Sequence, residues 1–208
     1  MKILALEVSS AEGSIAWMEE HRDGCERSFP NNRKHSGVFF ETLQFFSKQF
    51  GAPDLIVVGL GPGSYAGVRI AIAAAVGLRL VNRAKLVGLP SICAIDTEAT
   101  DYWVIGDARR GSFFSALISH GELKEGPSLH SATELELMIT DSVLPVYASE
   151  SLPQFSHAKL AFPYARKLAE LVRDQMHRIT DNQTLEPIYL REPHITWPKT
   201  ARPSPIIL

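Results

Sequence analysis

Asp54-Leu55-Ile56-Val57-Val58-Gly59-Leu60-Gly61-Pro62-Gly63-Ser64-Tyr65-Ala66-Gly67-Val68-Arg69-Ile70 runs from an unbroken apolar stretch through a glycine-rich turn into a helix-forming segment. Residues 54–59 show no alternation of apolar and polar side chains, which is the pattern of a strand covered on both faces of a sheet. Beyond Gly61-Pro62-Gly63-Ser64, residues 67–83 combine helix formers with many small side chains and predict a helix, and 85–89, stopped by Pro90, predict the next strand. Glycines at such a junction permit positive φ and close approach of the backbone. The helix N-terminus behind them can hold an anion. Two readings of Gly61, Gly63, Ser64 and Gly67 therefore stand: a ligand-holding loop, or a tight turn that seats the helix close on its sheet.

Upstream, residues 2–8 and 14–18 read as a hairpin turning at Glu12-Gly13, and 25–29 as a third, poorer strand. Residues 34–49 carry Val38, Phe39, Leu43, Phe45 and Phe46 at helical spacing and end at Gly51 and Pro53. Downstream, a similar order begins again at Asp101: a strand at 102–107, a turn at Arg109-Arg110-Gly111, strands at 112–119 and 122–129, a short helix at 132–139, a strand at 144–148, and an amphipathic helix at 164–177 with Leu168, Leu171 and Val172 inward. The order of elements is duplicated although residue identity is not. The expectation is an α/β protein of two β-β-β-α-β-α halves with mixed sheets, residues 1–100 and 101–191. A tail at 192–208 follows, in which Pro193, Pro198, Pro203 and Pro205 exclude regular helix or sheet. This order resembles the duplicated ribonuclease-H-like fold of the actin and sugar-kinase superfamily, a likeness that does not fix function.

Composition narrows the function classes. The 208 residues are 45% hydrophobic and 21% charged, an ordinary globular make-up. A net charge of -2 disfavours a stand-alone RNA binder. Cys25 and Cys93 form no C-x-x-C pair, so neither a disulfide framework nor a structural zinc site is indicated. Glu7 interrupts the first apolar run too early for a signal peptide, and the longest weakly polar stretch, 70–80, falls short of the roughly 20 residues a spanning helix needs. A cytoplasmic protein without a membrane segment is expected.

The segment from Gly61 to Ile70 is similar to the G-P-G-S-F-T-G-V-R-I signature of the TsaB (YeaZ) family, with Tyr65 and Ala66 replacing the usual aromatic and threonine. Ile3-Leu4-Ala5-Leu6-Glu7 resembles the family's I-L-A-I-D opening, with Glu7 for aspartate. Arg33-Lys34-His35-Ser36 resembles its R-x-H-S helix start, Asp107-Ala108-Arg109-Arg110-Gly111 its D-A-R-x-G hairpin, and Pro187-Ile188-Tyr189-Leu190-Arg191 its P-x-Y-L-R ending. The resemblance implies a pseudo-enzyme of the actin-like fold that pairs with the catalytic subunit TsaD, which transfers threonylcarbamoyl to the adenosine beside the tRNA anticodon. It also implies a further ATPase subunit, TsaE, with ATP and a metal ion held by the partner subunits, tRNA reached only through the complex, and no cofactor or metal of this chain's own. The family contact is a helical bundle, corresponding here to the helices at 34–49 and 67–83.

The residues themselves agree with a non-catalytic role. Actin-fold ATPases use glycine-rich phosphate loops in both halves and an acid that holds magnesium, yet this chain has no Gly-Gly pair. The acids at strand ends, Glu7 and Asp107, read as relics or turn-stabilising groups. No two of the seven histidines are four apart, and His35 is followed at that spacing by Phe39, so a helical metal pair is absent. Phe39, Phe40, Leu43 and Phe46 spread apolar bulk over more than one face of the first helix. In the second, Val68, Ile72 and Val76 are candidate contacts, with Arg69 and Arg79 at the rim. On this reading, charge reversal at Arg69 or Arg79, or Phe39→Asp, weakens partner binding without unfolding the chain.

Three rival functions follow from the same residues. Gly61-x-Gly63-x-x-Ala66 matches the dinucleotide fingerprint of oxidoreductases, but the ribose-binding acid expected about 20 residues onward is missing from 81–91, where only Arg83 or Lys85 would suit a phosphorylated ribose. Hydrolysis through Ser64 lacks a G-x-S-x-G elbow. Self-association through the two helices is the third.

Overall fold

A computed structural model of the chain describes residues 1–19, 22–31, 36–175, 181 and 184–191. The first half contains β1 (Lys2–Glu7), β2 (Glu12–Glu19), β3 (Arg22–Pro30), α1 (Gly37–Phe50), β4 (Leu55–Gly59), α2 (Tyr65–Asn82) and β5 (Lys85–Leu89). Its five strands lie in the order β3-β2-β1-β4-β5. Leu6 of β1 stands opposite Ile15 of antiparallel β2 and Val58 of parallel β4. Both central strands are covered twice. Leu4, Leu6, Ile56 and Val58 pack beneath α1 and α2, while Ile3, Ala5, Leu55 and Val57 face the opposite side. That double cover is why residues 54–59 show no alternation.

A 3₁₀ turn (Ser91–Ala94) leads to β6 (Asp101–Asp107), β7 (Ser112–Ser119), β8 (Glu122–Ser131), α3 (Ala132–Thr140), β9 (Val146–Ala148), β10 (Lys159–Leu160) and α4 (Ala165–Asp174). The second sheet reads β10-β9-β6-β7-β8, the order of the first with β6 in the place of β1. This is the duplicated ribonuclease-H-like arrangement. The β6–β7 hairpin turns at Arg109, Arg110 and Gly111, all at positive φ. At the start of α3, Ser131 and Glu134 close a reciprocal capping box.

The second half departs from the expected β-β-β-α-β-α order. A short strand, β10, stands between β9 and the last helix, with no helix between β9 and β10. The last helix, α4, crosses to the first sheet, where Ala165, Leu168, Ala169 and Val172 cover Ile3, Ala5, Met18, Leu55, Val57 and Val87. Leu171 is only half-buried and touches the cores of both halves.

Other boundaries shift for local reasons. Gly13 lies within β2, where a Cβ would strike the Phe29 ring, and the turn falls at residues 8–11. It is held by the Asn31 amide, which donates to the Val8 and Ser10 carbonyls. Helix α2 begins at Tyr65 because Ser64 caps it, and it stops at Arg83, whose φ of 55° is left-handed. Lys34 and His35 of the expected first helix, residues 176–177 of the expected last helix, and the 192–208 tail lie outside the described residues.

Candidate functional site: the glycine junction and the docking helices

The glycine junction is closed by the chain's own groups. The Leu60 N–H donates to the Leu89 carbonyl at 2.8 Å, the Gly61 N–H to Ser91 Oγ at 2.9 Å, and the Ser64 N–H to the Ser9 carbonyl at 2.6 Å. The Gly67 N–H donates to Ser64 Oγ, the helix cap, at 3.3 Å. The Leu60, Gly61, Ser64 and Gly67 amides are thus already committed. A Cβ at Gly63 would overlap the Ser9 backbone and one at Gly67 the Val8 carbonyl, so these glycines let the start of α2 sit against the β1–β2 turn. Of the two readings of this loop, the tight turn is the one its contacts fit. Arg83, which on the dinucleotide reading would suit a phosphorylated ribose, serves as the helix C-cap.

The strand-end acids have different surroundings. Asp107 accepts from the Arg109 N–H at 2.6 Å and from Arg109 Nη1 at 2.8 Å, and so braces the β6–β7 turn. Glu7 is 0% exposed, and burial raises its carboxyl above the ordinary range against the lowering effect of hydrogen bonds from Ser9 and Ser91. Among the described residues no three His, Cys, Asp or Glu side chains converge on one point.

Sequence reasoning missed one pair with nucleophile chemistry: Ser115 Oγ lies 2.8 Å from His130 Nε2 across β7 and β8. Only the fold brings these residues together. Ser115 is 2% exposed, and the nearby Glu134 carboxylate accepts from Ser131 in the capping box, so the pair ties strands together and offers no open nucleophile. The Cys93 thiol is buried and pushed up to about 12, which leaves it inert.

Helices α1 and α2 divide the expected contact residues into two groups. Phe39, Leu43 and Phe46 of α1 and Val68 of α2 are buried in the chain's own core and are unavailable to a partner. Helix α1 covers β2 and β3 while α2 covers β4, β5 and β1, and the buried faces are taken up by that packing. Ile72 is half-buried, whereas Phe40, Arg69 and Val76 are exposed. Unforeseen in the sequence are the exposed Val38, Tyr65, Leu80 and Val81, the last two 77% and 81% exposed. Tyr65, Arg69, Ala73, Val76 and Leu80 follow one another at helical spacing and form a continuous stripe. By length and composition alone this 18-residue helix would pass for a membrane span, more than the 70–80 stretch suggested, yet only 22% of it is buried.

A strap from the C-terminal region runs alongside α2. Asp181 accepts from the Leu86 N–H on edge strand β5 at 2.9 Å and from Arg79 Nη2 at 2.8 Å. Leu185 packs on the first core, the Ile188 N–H donates to the Leu60 carbonyl at 2.8 Å, and the Tyr189 hydroxyl accepts from Arg69 Nε at 3.1 Å. Arg69 also lies over the Tyr65 ring, 4.4 Å from its centroid. Arg69 and Arg79 are therefore strap contacts, and reversing the charge of either is expected to loosen these contacts within the chain as well as any partner rim. Asp181→Ala, which leaves the Leu86 N–H without its acceptor, is expected to cost about 1–3 kcal/mol in urea unfolding. Asp181→Asn keeps that acceptor and is expected to lose less than about 1 kcal/mol.

Comparison with known proteins places this architecture. Two Pseudomonas aeruginosa structures superpose over 91% of this chain and 99% of theirs. An uncharacterized protein with similarity to peptidase YEAZ gives a TM-score of 0.73 at 21% identity, and YeaZ itself gives 0.70 at 20%. Uncharacterized protein ML0378 of Mycobacterium leprae (strain TN) is 30% identical over 156 residues, which is 74% of this chain but 42% of that protein, so the chain spans less than half of that relative's length. The model of the family described as "TsaD: tRNA N6-adenosine threonylcarbamoyltransferase" matches residues 32–184. The chain belongs to this TsaD family and carries the fold of YeaZ.

Proposed function

We propose that the chain is a non-catalytic accessory subunit of the TsaB (YeaZ) type, which docks through α1 and α2 on a TsaD-like catalytic subunit during threonylcarbamoyl transfer to the tRNA adenosine beside the anticodon. The observation that carries this reading is the exposed stripe on α2, together with the exposed Val38 and Phe40 of α1. A monomer seldom leaves so continuous an apolar surface in water, and the mixture of tyrosine, arginine and aliphatic side chains is that of an interface. Commitment of the Leu60, Gly61, Ser64 and Gly67 amides supports placing the nucleotide chemistry elsewhere, with ATP and a metal ion in the catalytic subunit and a TsaE-like ATPase, and tRNA reached through the complex. Self-association is the second reading. Ala73 and Gly77 on the exposed side of α2 permit close approach of a second copy when the partner is missing.

The test is co-elution of the purified chain with the TsaD-type subunit of its own organism, followed by tRNA modification with and without the chain. A complex and chain-dependent modification are expected. Failure to form a complex under every nucleotide condition overturns the reading.

A further inference from the structure

The strap turns one large side chain outward between others that it packs inward. Leu185 lies on the core of the first half, Leu190 on that of the second, and Ile188 is half-buried with its N–H fixed to the Leu60 carbonyl. Tyr189, between the last two, is 39% exposed. Its ring centroid lies 5.6 Å from that of Tyr65, the first residue of α2, which is 50% exposed. Arg69, one turn further along α2, joins the two rings: its Nε donates to the Tyr189 hydroxyl at 3.1 Å, and its guanidinium lies over the Tyr65 ring, 4.4 Å from the centroid. Three long side chains are thus ordered on the surface without a partner.

Such contacts stabilise a chain little while they stand in water, and they strengthen once water is excluded. Tyrosine and arginine are among the residue types that dominate binding energy at protein interfaces, and side chains already held in place lose little freedom on association. The surroundings select the class of partner. An RNA whose bases stack on such rings needs cations beside them for its phosphates. Here α2 continues from the rings as Ala73, Val76 and Leu80, the strap exposes Glu186, and the net charge is -2. A protein surface fits that continuation.

We propose that Tyr65 and Tyr189 form a pre-assembled anchor for the TsaD-type subunit, with Arg69 as the positioning residue that holds both rings, so that the strap is part of the docking surface. The proposal rests on the docking function proposed above and names the side chains on which affinity turns.

The experiment uses the full chain as wild type, Tyr65→Ala, Tyr189→Ala, their double variant, Tyr65→Phe and Arg69→Met. Affinity for the TsaD-type subunit is read by titration calorimetry beside urea unfolding of each variant, and ring accessibility by nitration with tetranitromethane in the free chain and in the complex. Tyr65 and Tyr189 are expected to react in the free chain, with Tyr102, 3% exposed, as the unreactive control. In the complex both are expected to react at least about tenfold more slowly. Each alanine should raise Kd about thirtyfold in a chain that still folds, and the double variant about a hundredfold, short of the roughly 900-fold of independent sites. Tyr65→Phe, which keeps the ring under Arg69, should change Kd less than about threefold. Arg69→Met should raise it about tenfold in the wild-type background and less than about twofold in the double-alanine background, since its effect passes through the rings. Rings equally reactive in the free chain and in the complex, or alanine variants that bind as the wild type does, overturn the anchor and leave docking through the rest of α2 standing. Absence of any complex with the wild type overturns the anchor and the docking function together. Protection by tRNA alone, or by raising the concentration of the chain alone, overturns the choice of partner. Where an alanine variant does not fold, the nitration comparison, which needs only the wild type, decides.

Discussion

Val76→Lys combined with Leu80→Lys is expected to leave the chain folded and to abolish its complex with a TsaD-type subunit. Both side chains lie on the exposed stripe of α2, Val76 at 37% and Leu80 at 77% exposure, so neither supports the chain's own core. Lysine is a good helix former and its charge suits the C-terminal part of a helix, so a change in unfolding free energy of less than about 0.5 kcal/mol is expected. At the centre of an interface the same change buries two ammonium groups against apolar surface. Dissociation constants should rise at least about a hundredfold, near 3 kcal/mol, as read by titration calorimetry. Phe39→Asp is the contrast. It places a carboxylate in the core beneath α1, where Phe39 is 3% exposed and meets Phe29 edge to face, and loss of the ring alone costs about 3–5 kcal/mol. Loss of binding there reports unfolding. Unchanged affinity in the lysine variant would overturn docking through α2.

Leu168→Ala is expected to cost about 2–5 kcal/mol from a total of roughly 5–15. Leu168 is fully buried, but against the sheet of the other half. The start of α4 is bound to that sheet as well. The Ala165 N–H donates to Ser14 Oγ at 2.8 Å and the Arg166 N–H to Glu26 Oε1 at 3.0 Å, so two of the helix's orphan amides find acceptors on β2 and β3. A chain ended after residue 100 would therefore expose Ile3, Ala5, Met18, Leu55, Val57 and Val87 together. It is expected to aggregate, as measured by size exclusion and by dye binding to apolar surface. A soluble, cooperatively unfolding fragment 1–100 would show that the first half stands without α4.

The two predictions draw on different levels of legibility. Strand β4, the following turn and α2 were readable because a doubly covered strand must be continuously apolar and a glycine-rich break must follow it. The direction in which α2 faces was not. Its apolar and small residues surround the helix, so periodicity does not separate Val68, which is buried, from Val76 and Leu80, which are exposed. The aromatics of α1 carried the same ambiguity: Phe39 and Phe46 are buried while Phe40 is open. The strap was legible only as the family block at 187–191, because a single aspartate, Asp181, taking both an edge N–H and a guanidinium leaves no pattern in sequence.

By itself the amino-acid sequence determined the α/β class, the duplicated order of strands and the family, since each rests on local pattern: unbroken apolar runs, punctuating glycines and prolines, and short blocks in order. Only the tertiary structure decided that α4 belongs to the first sheet, that the Gly61 and Ser64 amides are bonded within the chain, that Glu7 is sealed, and which side chains of α1 and α2 face water. Those are properties of distance between residues far apart in the chain. Ser14 and Ala165, or Glu7 and Ser91, acquire their meaning only when packing brings them together.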